Sequence, residues 1–289
     1  GQGLKILVDQ VPDIKIIATG SSSFELAGQV GEPLVGRKVT LTLFPISQIE
    51  LKDFYNNSNY EIKRRLEEYL VFGGYPNVVA SEDHSKKEKI LGEIVNSYLL
   101  KDVLELEQVK GSKILLDLLR LLSFQVGSEV SLSELARQLA LDYKTVARYL
   151  DLFEKAFIIK RVGGFSGNLR SEISKTSRYY FLDNGIRNAL INNFNSLNSR
   201  DDLGMLWENF IFSERMKRNN YLHHFANYYF WRTYARQEID FVEEYGGKLY
   251  GYEFSYWGKK KKAPRLWLDS YPNASFEVID RDNFLGFVA

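Results

Sequence analysis

Residues 130–165 run VSLSELARQLALDYKTVARYLDLFEKAFIIKRVGGF. Ser131-Leu132-Ser133-Glu134 has the form of a capping box, in which a serine and a glutamate three residues apart satisfy the first free N–H groups of a helix. Leu132, Leu135 and Leu139 then share one face of that helix. A short turn at Leu141-Asp142 leads to a second helix with Val146, Leu150 and Phe153 on its inner side. Beyond it, Phe157-Ile158-Ile159, a glycine loop at Gly163-Gly164-Phe165-Ser166-Gly167 and Tyr179-Tyr180-Phe181 predict a two-stranded wing. Helix, turn, helix and hairpin in this order predict a winged helix-turn-helix.

Its surface chemistry is balanced. Between Ser131 and Lys155 the cations Arg137, Lys144, Arg148 and Lys155 meet Glu134, Asp142, Asp151 and Glu154, so the two helices carry no net charge. The wing adds Lys160, Arg161 and Arg170. A DNA reader relies on positive charge where it meets phosphate. Lys144 and Arg148, on the second helix, are the candidate DNA contacts, and protein docking stays open beside DNA binding.

Toward the C-terminus, Met205-Leu206-Trp207-Glu208-Asn209-Phe210-Ile211 reads as a helix. Four strands are expected after it, around 228–231, 238–242, 248–254 and 276–279, and a helix followed by strands predicts a small α/β unit. Glu208, Asp240 and Glu253 lie on three of these elements. A hairpin in which Glu253 follows Asp240 by thirteen positions can set the two strand carboxylates side by side, where they can hold Mg²⁺. Spacing alone also fits solvated residues on an exposed strand face. Metal-assisted phosphodiester cleavage further wants a cation two residues beyond the glutamate, on the same strand face, and that position is Ser255. The run Lys259-Lys260-Lys261-Lys262 follows, a phosphate-contacting edge or a solvated loop, with Tyr256, Trp257 and Trp267 nearby as stacking or core aromatics.

Toward the N-terminus, helical periodicity covers Tyr60 to about Leu122, broken by Phe72-Gly73-Gly74-Tyr75-Pro76. Ile90, Ile94, Tyr98, Lys101-Asp102 and Leu104 predict one long amphipathic helix. Before this bundle, Asp13–Gly20 reads as a buried parallel strand running into the polar loop Ser21-Ser22-Ser23, and Val39-Thr40-Leu41-Thr42-Leu43 as a second strand. No G-x-x-x-x-G-K-[S/T] occurs in the sequence, so no P-loop is expected, and Thr19 and Ser21 taken alone are turn and capping residues.

Composition narrows the classes. The 289 residues balance 38 Lys and Arg against 37 Asp and Glu, so attraction to nucleic acid or membrane must be local. With no cysteine, thiolate metal sites, cysteine nucleophiles and disulfides are excluded. His84, His223 and His224 are too scattered for a multi-histidine metal centre. No apolar run is long enough to span a bilayer, and no secretory leader is seen, so a cytoplasmic protein with no membrane partner is expected. The chain opens on Gly1-Gln2-Gly3 rather than Met, in what reads as the middle of a domain, and we expect the tail portion of a longer protein.

Taken in order, Thr19-Gly20-Ser21-Ser22-Ser23-Phe24-Glu25-Leu26, Gly36-Arg37-Lys38, Leu43-Phe44-Pro45, Gly73-Gly74-Tyr75-Pro76, the segment from Tyr98 to Asp102, Leu206-Trp207-Glu208-Asn209, Tyr229-Phe230-Trp231-Arg232-Thr233, Glu238-Ile239-Asp240-Phe241 and Tyr252-Glu253-Phe254 resemble the bacterial and archaeal AAA-type P-loop ATPases that carry a winged helix and a C-terminal restriction-endonuclease-like (PD-(D/E)XK) domain of uncharacterised function. The resemblance spans essentially the whole chain. It implies an α/β plus α fold: the C-terminal part of an AAA-type ATPase core over 1–55, a helical lid over 56–126, a winged helix over 127–195 and a restriction-endonuclease-like α/β domain over 200–289. In the family, ATP and Mg²⁺ are bound by motifs that precede the Thr-Gly-Ser segment, so Thr19 and Ser21 match sensor-like residues. ATPase ancestry follows, without ATPase activity for this polypeptide. The resemblance also implies Glu208, Asp240 and Glu253 as the nuclease-like residues, with Asp240 and Glu253 the metal ligands. Where the family has Glu-x-Lys this chain has Glu253-Phe254-Ser255, which predicts a carboxylate pocket lacking its catalytic cation. The leading expectation is a DNA-associated member of an ATPase family with an inactive nuclease-like domain. Its rivals are a non-enzymatic protein-interaction module and a Mg²⁺ nuclease that borrows a lysine from 259–262. Oligomeric state is left open.

Overall fold

In the computed structural model the two central helices run over Leu132–Leu139 and Tyr143–Lys155. Residues 2–11, 14–20, 39–56, 58–99, 103, 112–166, 176–233, 237–258 and 261–289 are described. Ser131 accepts the Glu134 N–H at the start of the first helix and Asp142 accepts the Thr145 N–H at the start of the second, 2.9 Å away. Each cap relieves a donor that no helical carbonyl can reach.

The helices lead into β1 (Ile159–Phe165) and β2 (Ser177–Phe181), an antiparallel pair with Ile159 opposite Phe181. Gly163 and Gly164 were expected in the loop and lie instead within β1. Gly163 is paired on both sides, with Ser177 of β2 and Tyr229 of β3, because β1 also pairs in parallel with β3 (Asn227–Arg232), where Gly164 lies opposite Phe230. A Cβ on Gly164 would stand 3.4 Å from the Phe230 ring, an ordinary contact distance. Ser166 lies at the end of β1, and Gly167 is outside the described residues.

β3 continues antiparallel into β4 (Glu238–Tyr245) and β5 (Lys248–Phe254), and β6 (Ser275–Ile279) closes the sheet in parallel with β5. The six strands form one sheet in the order β2-β1-β3-β4-β5-β6. Thus the hairpin after the two helices and the C-terminal strands share a sheet.

Behind it runs the long helix Leu203–Tyr221, buried through most of its length. The helices of residues 48–99 pack through Leu51, Ile62, Leu70 and Leu91 into a core that continues to Val288. Gly73, at φ 73°, and Gly74 make the expected break, and the Gly74 N–H donates to Asp183 at 2.7 Å. The amphipathic helix expected from Ile90 onward is seen as His84–Glu93 passing into a wider π-type turn at Ile94–Tyr98. Its continuation at 101–102 and 104 lies outside the described residues.

The expected N-terminal strands differ. Segments 14–20 and 39–43 belong to no strand or helix, and Ile17, Val39, Leu41 and Leu43 are exposed rather than buried. A buried parallel strand needs neighbours on both edges, and among the described residues no strand lies beside either segment.

Candidate functional site

The turn between β4 and β5 consists of Gly246 and Gly247, both at positive φ, the conformation that two-residue hairpins need and glycine gives without strain. It fixes a register with Phe241 opposite Tyr252, and the next rung brings Asp240 level with Glu253. Asp240 Oδ2 accepts the Phe254 N–H at 2.9 Å.

Glu208 arrives from the long helix through its neighbours. Trp207 is fully buried and donates its indole N–H to the Ile279 carbonyl at 3.3 Å, pinning the helix to β6. Asn209 accepts the Phe181 N–H at 2.7 Å and donates to the Phe181 carbonyl and to Asn184, which pins it to the end of β2. Between these two anchors Glu208 is aimed at the sheet. Tyr180 Oη donates to Glu208 Oε1 at 2.8 Å. Gly127, at φ 71°, lies against the same carboxylate, where a Cβ would be 2.5 Å from Oε1.

Two cations meet the acids. Arg178 of β2 is almost fully buried, with Nη1 3.5 Å from Glu208 Oε1 and 3.8 Å from Asp240 Oδ1, and Nη2 3.5 Å from Glu238 Oε2. Its guanidinium lies 4.5 Å over the Phe230 ring. Lys261 donates to Glu253 Oε1, while Glu253 Oε2 is buried with no hydrogen-bond partner.

The charges are strained by burial. Burial and then the Asp240 charge push Glu208 up to about 8, against the pull of Arg178 and Tyr180. Burial and then Asp240 raise Glu253 to about 7, opposed by Lys261. Asp240 is raised by burial as well, despite the Phe254 N–H and Arg178. For Arg178 burial works against the charge, but Tyr180, Glu208 and Asp240 outweigh it and hold the group protonated.

The structure therefore brings Glu208, Asp240 and Glu253 into electrostatic contact, with Lys261 beside them. Arg178, Lys261, Tyr180 and the Phe254 N–H each engage an oxygen of these carboxylates, so the cluster is balanced by protein cations and donors, with Glu253 Oε2 left over. Among the described residues no group of three or more His, Asp or Glu side chains is placed to hold a metal. Lys144 and Arg148 are exposed on the second central helix, and Lys262 is exposed beyond Lys261. Thr19 is exposed in the 14–20 segment. Ser21, Lys259 and Lys260 lie outside the described residues. Arg178 and Tyr180 are the residues that the sequence reading missed. An arginine and a tyrosine two apart on a strand share a face, but that spacing does not say that the face meets Glu208.

Comparison with known proteins agrees at the coarse level. Residues 1–52 match an AAA domain, residues 63–197 a domain of unknown function, DUF8612, and residues 203–268 a domain of unknown function, DUF4143. The mixed α/β architecture and these matches are consistent with an AAA-type ATPase-like family. An uncharacterised protein of Haemophilus influenzae is 30% identical over 213 residues, covering 70% of this chain and 51% of its own length. Uncharacterised proteins of Methanocaldococcus jannaschii and Mycobacterium tuberculosis are each 25% identical, covering 78% and 86% of this chain and 52% and 54% of their own. The chain spans about half the length of the curated relatives it matches. No solved structure matches it. Among the described residues, no helix is long and apolar enough to cross a membrane.

Proposed function

We propose that this chain is the DNA-associated portion of an AAA-type ATPase in which a winged helix over 127–195 joins a nuclease-like domain over 200–289 that keeps its carboxylates but does not cut. The observation that carries the reading is Arg178. A buried guanidinium within 4 Å of both Glu208 and Asp240 supplies the positive charge that a metal would otherwise bring, and it is fixed to the sheet rather than exchangeable. The nucleotide would be held elsewhere in the whole protein, because this chain lacks the backbone cradle and lysine that neutralise phosphates. DNA contact falls to Lys144 and Arg148, exposed on the helix that a winged helix-turn-helix offers to duplex.

The test combines two assays on the same protein. We expect duplex binding that weakens steeply with salt, and no cleavage of plasmid or linear DNA in Mg²⁺ or Mn²⁺. Metal-dependent cutting that disappears in Asp240→Ala would overturn the inactive assignment. The specific observation favouring that second reading is Lys261, which contacts Glu253 and could replace the cation missing at Ser255. Salt-insensitive or absent duplex binding would shift the central helices to protein docking.

A further inference from the structure

Three of the four tryptophans, Trp207, Trp231 and Trp267, are buried in the two cores, whereas Trp257 is 63% exposed. A single exposed aromatic is unremarkable on a protein surface. This one differs in how it is held. It sits in the turn that follows β5, four residues beyond Glu253. The turn is tied down by the Ser255 N–H to the Ile279 carbonyl and by the Gly258 N–H to the Ser255 carbonyl, both 3.0 Å. Gly258, at φ 68°, approaches Asp280 so closely that a Cβ there would be 2.8 Å from its carboxylate.

The ring is also anchored through aromatic contacts. Trp257 meets Tyr256 edge-on at 4.9 Å, and Tyr256 meets the buried Trp207 at 5.3 Å. The Arg281 guanidinium lies 4.9 Å from the Trp257 centroid and 5.9 Å from that of Tyr256. Lys261 and Lys262, both exposed, follow within five residues. A solvent-facing indole with a guanidinium on it and exposed lysines a few residues on in sequence has the parts of a base-stacking platform: a π face for any base and cations for the backbone.

We propose that Trp257 and Arg281, with Lys262, form a binding site for single-stranded nucleic acid at the edge of the carboxylate pocket, with an unpaired base stacking on the indole. The site rests on the DNA-associated reading above, and supplies it with a substrate form: a strand end, gap or unwound segment. Duplex would not do, because its bases are already stacked on one another. Nothing in the stacking mode selects a sequence.

All four tryptophans emit, but with Trp207, Trp231 and Trp267 buried only Trp257 is open to quenching by a stacked base. Titration of the full chain with a dT oligonucleotide of about twelve nucleotides should quench the emission. Trp257→Ala should abolish the quench and weaken binding, followed by fluorescence anisotropy of a labelled oligonucleotide, roughly tenfold without altering the salt slope; Trp257→Phe should keep most of the affinity. Arg281→Ala should weaken binding and flatten the slope. No quench, or equal affinity in Trp257→Ala, overturns the platform. Duplex binding measured in parallel on Lys144→Ala/Arg148→Ala separates the two ideas. If duplex binding depends on those residues while the oligonucleotide leaves Trp257 unmoved, the platform alone fails. If the quench and its loss in Trp257→Ala are seen without duplex binding, the platform stands and the winged-helix assignment fails.

Discussion

Glu208 sets a pH dependence whose direction is unusual for a carboxylate. Its folded pKa, pushed to about 8, lies above the ordinary 4.5, so between these values the folded chain keeps a proton that the unfolded chain has released. Stability from this group is full below about pH 4.5 and is lost as pH rises through about 8. We expect the melting temperature of Glu208→Gln, relative to the parent, to rise between pH 5 and pH 8, since the amide can still accept from Tyr180 and carries no charge to bury. An offset equal at both pH values would remove the raised pKa. Arg178 is the counterpart. Arg178→Met should destabilise by about 3–5 kcal/mol, because the acids it neutralises stay buried. Part of the loss should return on adding Mg²⁺ or Mn²⁺, with the parent indifferent to both; melting curves in metal and in EDTA decide it. The three acids could be picked from the sequence, since each falls in a recognisable element. Arg178 could not, because its role depends on β2 lying next to the Glu208 helix, a contact made by Asn209 and not by any local pattern.

Elements were legible where local signals and tertiary neighbours agree. The capped central helices and β3 to β6 lie where periodicity and turn residues place them, give or take a few positions. The Gly163-Gly164 pair differs from the expectation because glycine usually marks a loop, whereas here β3 pairs with both residues and holds them in the sheet. Segment 39–43 was misread for the opposite reason: its alternation is strand-like, but a strand also needs a partner. The Trp207-Glu208-Asn209 triplet shows how a short motif builds a site, one residue for each neighbouring strand and one for the chemistry between. Asn209 makes three buried hydrogen bonds through one side chain. Asn209→Ala should cost about 2–4 kcal/mol, since it leaves the Phe181 N–H and carbonyl unpaired in the interior. Denaturant unfolding of the variant checks it, and a loss below about 1 kcal/mol would mean that β2 is held by other contacts.

At the scale of the whole molecule, charge and connectivity govern what can be measured. If Lys144 and Arg148 each neutralise one phosphate, replacing both with Ala should lower the slope of log affinity against log salt by about 2 for duplex DNA. An unchanged slope would place the contact elsewhere. The N-terminal helices are fastened to the C-terminal half by buried polar groups as well as by apolar ones: Gln48 N–H donates to Glu214 at 2.6 Å, and Glu214 is paired with Lys217 within the long helix. We expect residues 44–289 to unfold in one cooperative transition, seen as coincident fluorescence and far-ultraviolet dichroism curves. The parallel pairing of β1 with β3 carries a practical corollary. A protease that nicks the connector between Leu190 and Leu203 will sever the backbone without parting the halves, because they stay zipped along that strand pair and co-elute. Truncated pieces expressed from either side would each present a raw strand edge, and a raw edge seeks a mate in a neighbouring molecule. Aggregation of the isolated pieces would therefore say nothing against the intact chain, and mixing both during refolding is the way to recover either.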